Sequence, residues 1–312
     1  MVNATTKTEK GGERRISVAR QIDLCYRLDG AEDGPPLVLI AGLGQQLIEW
    51  PPELVEGLID AGFRVIRFDN REVGRSSRVD IAPPSPLRML TRRFSAEQYL
   101  LGDMGLDTVG LLDGLSIDSA HLVGMSMGGM IGQTVAARHP SRVRSLTSIM
   151  STTGAKRIGR PTMATYARLF RPVPAEREAA AEANVAMMRH IGSRGYPFDT
   201  ERVRAVSLEA WDRDGGPNPD GPARQLGAIF KSGDRTREVR QIAAPTLVIH
   251  GDHDPMIAPT GGWATSRAIP RARLLTIGGM GHDLPAGACA ELVEAIAEHA
   301  AAADRREAAT RG

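Results

Sequence analysis

One serine of this chain has the surroundings that a nucleophile needs. Ser126 lies in the sequence Gly-Met-Ser-Met-Gly-Gly, which starts at Gly124 and directly follows an apolar run at 119–123. A helical pattern starts at about Gly128, so this Gly-x-Ser-x-Gly motif joins a predicted strand to a predicted helix. Such a sharp turn strains the serine backbone, and its glycines let neighbouring backbone pass without Cβ clashes. These features predict that Ser126 is a nucleophile.

A histidine near the end of the chain is the predicted base. A serine hydroxyl needs a general base, and the base needs an orienting acid. In folds with this kind of nucleophile turn, the chain order is serine, then acid, then histidine. His282 fits, because it follows the last predicted strand in a glycine-rich loop that starts at Gly278. We expect His299, in the last helix, to face solvent. The other histidines lie in strands, helices or earlier turns: His121, His139, His190, His250 and His253.

Two aspartates compete for the role of the orienting acid. Both follow the predicted strand at 246–250, in the sequence Gly-Asp-His-Asp-Pro. Asp254 is preferred because, three residues after Gly251, the turn can project its carboxylate toward the histidine loop. Asp252 is expected to stabilise the turn by bonding to its own backbone. Asp254 would then hold the His282 imidazolium while a covalent acyl-enzyme forms on the serine and is hydrolysed.

Backbone N–H groups are predicted to stabilise the oxyanion. One donor is Met127, the residue after the nucleophile, and the other is Leu43, in the glycine-containing loop after the strand at 37–40. A second conspicuous turn covers 68–77, and we expect Asp69 and Arg71 to bond locally and fix that loop beside the oxyanion site. This mechanism requires neither a cofactor nor a metal ion.

Alternating strand and helix patterns predict an α/β fold with a mostly parallel central sheet and helices on both faces. Predicted strands cover 16–19, 22–28, 37–40, 64–68, 119–123, 143–149, 246–250 and 273–277. Predicted helices cover 52–61, 99–112, 128–139 and 288–300. Between 152 and 237 no strand-like run occurs, so this segment is interpreted as a helical cap inserted before the last strands. The core is then 14–151 and 238–302, with flexible tails at 1–13 and 303–312.

Composition indicates a soluble protein with one large core. The chain has 312 residues, 42% of them hydrophobic, and 39 basic against 37 acidic residues, so its charge favours neither nucleic acid nor anionic membranes. No apolar run approaches the roughly 18 residues that a membrane span requires. The polar N-terminus indicates no secretory signal, and Cys25 and Cys289 indicate no disulfide framework. We therefore expect a cytoplasmic location.

Several motifs together resemble the lidded α/β-hydrolase family, and most of all the aclacinomycin methylesterase-like carboxylesterases. The similarity runs from about 16 to 300 and is carried by 41–44 with 50–51, 67–76, 123–129, 234–236, 245–249 with 252–255, and 279–282. The resemblance implies an α/β-hydrolase fold, a helical cap and ester hydrolysis. It also implies the roles nucleophile, acid and base for Ser126, Asp254 and His282.

The chain departs from the family pattern in two places. Many relatives have His-Gly where this chain has Ala41-Gly42, which matters little because the donors there are backbone groups. Relatives commonly have Asp-x-Arg-Gly-x-Gly, and Glu72 takes the place of the first of those glycines. The loop that contains Glu72 is therefore expected to differ near the site.

Other readings of the sequence stay open. Lactone, thioester or carbon–carbon bond hydrolysis and perhydrolysis use the same triad, and a non-catalytic ligand-binding protein can have the same scaffold. A metallohydrolase is a weaker alternative, because the common dinuclear-zinc run would require histidine at position 248, where valine stands. Its ligands would be His250, Asp252, His253, Asp254 and His282.

The expected partner is a small-molecule ester, whereas the oligomeric state is left open. Five large apolar residues of the cap could face the pocket and would then select a substrate with an apolar part. Packing between cap helices is the expected role of most of them. These residues are Met163, Met187, Met188, Trp211 and Phe230.

Overall fold

The structure is a computed structural model that describes residues 12–169 and 171–311. Within these ranges, eight strands form one sheet in the order β1-β2-β4-β3-β5-β6-β7-β8. Strand β2 pairs antiparallel with β1 and with β4, and every other pairing in the sheet is parallel. The strands are β1 (Arg14–Ala19), β2 (Ile22–Asp29), β3 (Pro36–Ile40), β4 (Arg64–Phe68), β5 (Ala120–Met125), β6 (Val143–Ile149), β7 (Thr246–Gly251) and β8 (Arg273–Ile277).

Helices cover both faces of the sheet, because its central strands carry apolar residues on both sides. Leu39 and Val123 pack toward one face with Leu292, whereas Ile40 and Leu122 point to the opposite face. The helices are α1 (Pro52–Asp60), α2 (Pro86–Thr91), α3 (Leu101–Gly114), α4 (Met127–Arg138), α5 (Met163–Leu169), α6 (Arg177–Ile191), α7 (Thr200–Asp214), α8 (Asp220–Ser232), α9 (Thr236–Val239), α10 (Thr260–Ala268) and α11 (Cys289–Arg311). The mostly parallel sheet between two helical layers confirms the predicted fold class.

The described residues between β6 and β7 form helices α5 to α9 and no strand. Local signals explain where helix α7 begins and ends. The carboxylate of Asp199 accepts a hydrogen bond from the Arg202 N–H at the N-terminus, and Gly215 ends the helix with a φ of 75°. We call residues 152–237 the helical segment. No helix within the described ranges is long and apolar enough to cross a membrane.

Both predicted tails contain residues that are part of the folded structure. Helix α11 continues to Arg311 instead of ending near 300, because Ala303 is buried and Asp304 forms an ion pair with Arg144 at 2.8 Å. Residues 303 and 304 of the predicted tail 303–312 are therefore packed against the protein, and residue 312 lies outside the described residues. At the other end Glu13 is buried and forms ion pairs, so the tail does not extend to it. Residues 1–11 of that predicted tail lie outside the described residues.

Candidate active site

Ser126 occupies the turn between β5 and α4 in a strained conformation. Its φ is 54° and its ψ is −118°, a region that residues with a side chain rarely adopt. Three hydrogen bonds hold the turn: Ser126 N–H donates to the Ile149 carbonyl at 2.9 Å, and the Ser126 carbonyl accepts from Met130 N–H at 3.2 Å and from Ser151 Oγ at 2.8 Å. A Cβ on Gly128 would collide with the Ile40 carbonyl, so β3 can lie this close only to glycine.

His282 connects Ser126 to Asp254. Its Nε2 lies 3.0 Å from Ser126 Oγ, and its Nδ1 lies 2.7 Å from Asp254 Oδ2. His282 is only 9% exposed. The three residues that the sequence predicts as nucleophile, base and acid therefore form one hydrogen-bonded chain. With Nδ1–H donating to the carboxylate, Nε2 is free to accept the serine proton.

Asp254 is buried but remains ionised. Its second oxygen, Oδ1, accepts hydrogen bonds from Met256 N–H and Ile257 N–H, both at 2.8 Å. Burial raises the pKa of Asp254, but attraction to His282 and hydrogen bonds from His250 and His282 outweigh it and hold that pKa well below its ordinary value. The carboxylate is thus fixed on one side by backbone and aimed at the imidazole on the other.

Asp252 does not contact His282. Its Oδ1 lies 2.6 Å from His253 Nδ1 and accepts from Gly279 N–H at 2.7 Å, so it joins the acid turn to the histidine loop. The Asp252–His253 pair is separate from Asp254, whose carboxylate contacts His282. Among the described residues, no group of three His, Cys, Asp or Glu side chains is arranged to hold a metal ion.

The two predicted oxyanion donors belong to different elements next to Ser126. Met127 is the first residue of α4, and Leu43 lies in the loop after β3, which is paired with β5. A Cβ built on Gly42 would be 3.5 Å from the Ser126 Cβ, so this loop is in contact with the serine. Within the described ranges, neither the Leu43 N–H nor the Met127 N–H has a hydrogen-bond acceptor. Both amides are available to a bound oxygen.

We call residues 41–47 the oxyanion loop. Side chains from the helical segment hold it and the neighbouring turn. Arg213 of α7 forms ion pairs with Asp69 at 2.9 Å and with Glu13 at 3.0 Å, and all three side chains are buried. Asp69 also accepts from the Leu47 N–H at 2.7 Å and from the Arg75 N–H at 3.0 Å. One arginine of the helical segment thereby fixes the carboxylate that binds the end of the oxyanion loop.

The turn at 68–77 departs from prediction at Arg71. Arg71 does not bond locally but forms a buried ion pair with Asp107 of α3, with N–O distances of 2.5 and 2.6 Å. The φ of Glu72 is 85°, a conformation that glycine adopts without strain and residues with a side chain rarely adopt. Its carboxylate pairs with Arg224 of α8 at 2.8 Å, so the unusual residue contacts the helical segment.

We call residues 278–283 the base loop. It is held mainly by backbone bonds to the end of α6. His282 N–H donates to the Ile191 carbonyl at 2.7 Å, and the N–H groups of Arg194 and Gly195 both donate to the Gly279 carbonyl at 2.9 Å. Ser193 adds two side-chain contacts, because its Oγ accepts from the Gly281 N–H at 2.9 Å and donates to Asp283 Oδ1 at 2.5 Å.

The structure also shows contacts that sequence reasoning missed or misplaced. His250 Nε2 lies 2.8 Å from the Ile257 carbonyl and 3.4 Å from Asp254 Oδ2, so His250 is a second neighbour of the acid. Its position four residues before Asp254 could have indicated this. His299 does not face solvent: it is buried, and its Nε2 lies 3.2 Å from the Pro245 carbonyl.

Comparison with known proteins places the chain in a family. Residues 35–285 match the family model for the alpha/beta hydrolase fold. The chain belongs to this family and is a hydrolase. It is 31% identical over 294 residues to the rhodomycin D methylesterase of Streptomyces peucetius, an alignment that covers 86% of this chain and 91% of that relative. This similarity confirms the resemblance to methylesterases.

Two solved structures extend the comparison. A hydrolase from Pseudomonas aeruginosa is 26% identical, with a TM-score of 0.65 and coverage of 97% of this chain and 98% of its own. An enol-lactonase from Burkholderia xenovorans is also 26% identical, with a TM-score of 0.67 and coverage of 92% and 98%. The family and its relatives support ester hydrolysis, with a small-molecule substrate.

Proposed function

We propose that this protein hydrolyses carboxylic esters through an acyl-enzyme, with Ser126 as nucleophile, His282 as general base and Asp254 as orienting acid. The observation that carries the proposal is the hydrogen-bonded chain from serine through imidazole to carboxylate, at 3.0 and 2.7 Å. Each distance lies within the range over which a proton is transferred or an imidazolium is stabilised.

The proposed reaction has two halves. Ser126 Oγ attacks the ester carbonyl carbon while His282 Nε2 takes its proton, and the carbonyl oxygen becomes an oxyanion that accepts from the N–H groups of Leu43 and Met127. The oxyanion collapses, the alcohol leaves with the proton from His282, and the acyl group remains on the serine. Water then repeats the attack with His282 as base, which releases the acid. The ionised Asp254 stabilises the imidazolium in both halves.

The helical segment is the proposed lid. Its helices α6 and α8 contact the loops on either side of Ser126, which supports a role in covering the substrate. Four of its large apolar residues are half-buried and would favour a substrate with an apolar part. These are Met187, Met188, Trp211 and Phe230, whereas Met163 is 81% exposed. The cytoplasmic location stays a prediction.

The test is activity on matched panels of methyl esters, lactones and thioesters. Ser126→Ala should lower kcat/KM on the best substrate by at least ~10³-fold, since it removes the nucleophile. Ser145→Ala is the control: this serine is also buried, and its Oγ lies 2.8 Å from His121 Nδ1, away from the predicted triad. The control should keep wild-type activity.

Two results would contradict the proposal. Equal activity of Ser126→Ala and wild type would show that Ser126 is not the nucleophile. Loss of activity after exhaustive chelation would favour the metallohydrolase. A best substrate among the lactones would keep the triad and the ester chemistry but make the substrate a cyclic ester, as the similarity to an enol-lactonase allows.

A further inference from the structure

Two glutamine side chains bond the amides on either side of Leu43. Gly42 N–H donates to Gln45 Oε1 at 3.1 Å, and Gly44 N–H donates to Gln225 Oε1 at 2.8 Å. The Leu43 N–H between them has no acceptor within the described residues. A loop with three consecutive amides therefore uses the outer two internally and leaves the middle one available.

Gln225 is built into the protein interior to make this contact. It belongs to α8, it is 0% exposed, and its Nε2 donates to the Arg71 carbonyl at 2.8 Å. The two partners fix the orientation of the side-chain amide, because a flipped amide would bring Nε2 against the Gly44 N–H and Oε1 against a carbonyl. Gln225 thus joins the oxyanion loop to the turn at 68–77.

Peptide planarity makes the orientation of Leu43 N–H depend on its neighbours. The Leu43 N–H lies in the peptide plane between Gly42 and Leu43. The Gly42 N–H lies in the preceding peptide plane, and the Gly44 N–H lies in the following one. When both outer planes are held, the plane between Gly42 and Leu43 has little freedom to rotate. Glycine on each side of Leu43 would otherwise allow that rotation readily.

We propose that Gln225 of the helical segment, together with Gln45, is a positioning residue that holds the Leu43 N–H toward the oxyanion. This inference rests on the proposed function, because it assigns how one donor of the oxyanion hole is aimed. It gives the helical segment a part in transition-state stabilisation in addition to covering the substrate. Neither glutamine touches the reacting atoms.

The test compares Gln225→Met with Gln98→Met. Methionine keeps the approximate size and removes both hydrogen bonds. Gln98 is the matched control, because it is also buried and its Nε2 donates to the Arg224 carbonyl of the same helix and to the Tyr99 carbonyl, away from the oxyanion loop. On a p-nitrophenyl ester, Gln225→Met should lower kcat about 10- to 100-fold with KM nearly unchanged, part of the effect of losing one oxyanion donor. Gln98→Met should keep the wild-type kcat.

A trifluoromethyl ketone separates positioning from general damage. Ser126 Oγ adds to its carbonyl carbon, the serine proton passes to His282, and the carbonyl oxygen becomes an oxyanion that needs the same donors. We expect Gln225→Met to weaken ketone binding by the factor by which it lowers kcat. Gln45→Leu, a change at a half-buried residue that does not threaten the core, should weaken it in the same direction.

Two outcomes would overturn the inference, and they differ. If Gln225→Met and Gln45→Leu lower only the fraction of active sites, while the remaining sites bind the ketone as tightly as wild type, the glutamines do not position the donor. If wild type binds the ketone no better than Ser126→Ala does, the proposed function fails, and this inference fails with it.

Discussion

The loops on the two sides of Ser126 are held by different kinds of contact. The oxyanion loop and its neighbouring turn depend on side chains of the helical segment, above all Gln225 and the buried arginine Arg213. The base loop depends mainly on backbone hydrogen bonds to residues 191–195, supplemented by the Ser193 hydroxyl and the Asp252 carboxylate. Single side-chain deletions should therefore damage the first side, whereas the second should be sensitive to changes that displace backbone.

The largest effect is expected on the oxyanion side from Arg213→Met. The change leaves the carboxylates of Asp69 and Glu13 buried without this partner, which should lower the free energy of unfolding by about 3–5 kcal/mol. Urea unfolding measures it. Arg204→Met is the control on the same helix, because Arg204 also pairs with two carboxylates but at the surface, and it should change little. Equal effects of the two changes would refute the comparison.

A smaller effect is expected on the base side from Gly281→Ala. The added Cβ would lie 2.5 Å from the Gly192 backbone, so the loop that positions His282 must shift. We expect a loss of about 1–3 kcal/mol in the free energy of unfolding and a decrease in kcat of at least ~10-fold. Gly278→Ala is the control, since a Cβ there would meet nothing within 4 Å. Wild-type kcat in Gly281→Ala would show that the loop is not held by close backbone packing.

The smallest effect concerns pH and lies on the oxyanion side. Burial, with Asp69 and Asp214 nearby, raises the pKa of Glu49 to about 7, although its carboxylate accepts a hydrogen bond from the Gln46 N–H. Between pH 4.5 and 7 the folded state therefore binds more protons at Glu49 than the unfolded state does, so this residue lowers stability as pH rises.

Glu49→Gln should remove that dependence. Relative to wild type, the variant should be more stable at pH 8 than at pH 5 by on the order of 1 kcal/mol in the free energy of unfolding. The reason is that glutamine can accept the same hydrogen bond without a charge. Thermal unfolding at both pH values measures the difference. An equal change in Tm at pH 5 and pH 8 would contradict the assignment.

The fold could be predicted, and the residues of the proposed triad could be selected, because local sequence specifies them. Apolar runs bounded by turns predicted all eight strands, and three of them have the predicted bounds: β4, β6 and β8. The glycine turn at Ser126 and the chain order of acid and histidine depend on short stretches of sequence. The predicted nucleophile, acid and base follow from such stretches alone.

Contacts of the helical segment could not be predicted because they depend on tertiary packing. Gln225 lies 181 positions after Gly44, and nothing in either local sequence indicates that they meet. Arg71 was expected to bond locally, yet its partner Asp107 lies on a separate helix. The alanine-rich end of α11 resembles a frayed tail until Ala303 is seen packed in the interior.

The ion pair between Glu13 and Arg213 also bears on how the chain folds during its synthesis. The two residues are 200 positions apart, so the carboxylates that meet Arg213 leave the ribosome long before the arginine does. Until then neither carboxylate has Arg213 as a partner, although Glu13 can pair with Arg75 and Asp69 can accept from backbone N–H groups, so burying both costs more free energy than in the complete chain. A nascent chain released before residue 213 should therefore remain open along that edge. We expect the resistance of this edge to protease to increase once helix α7, which carries Arg213, is complete.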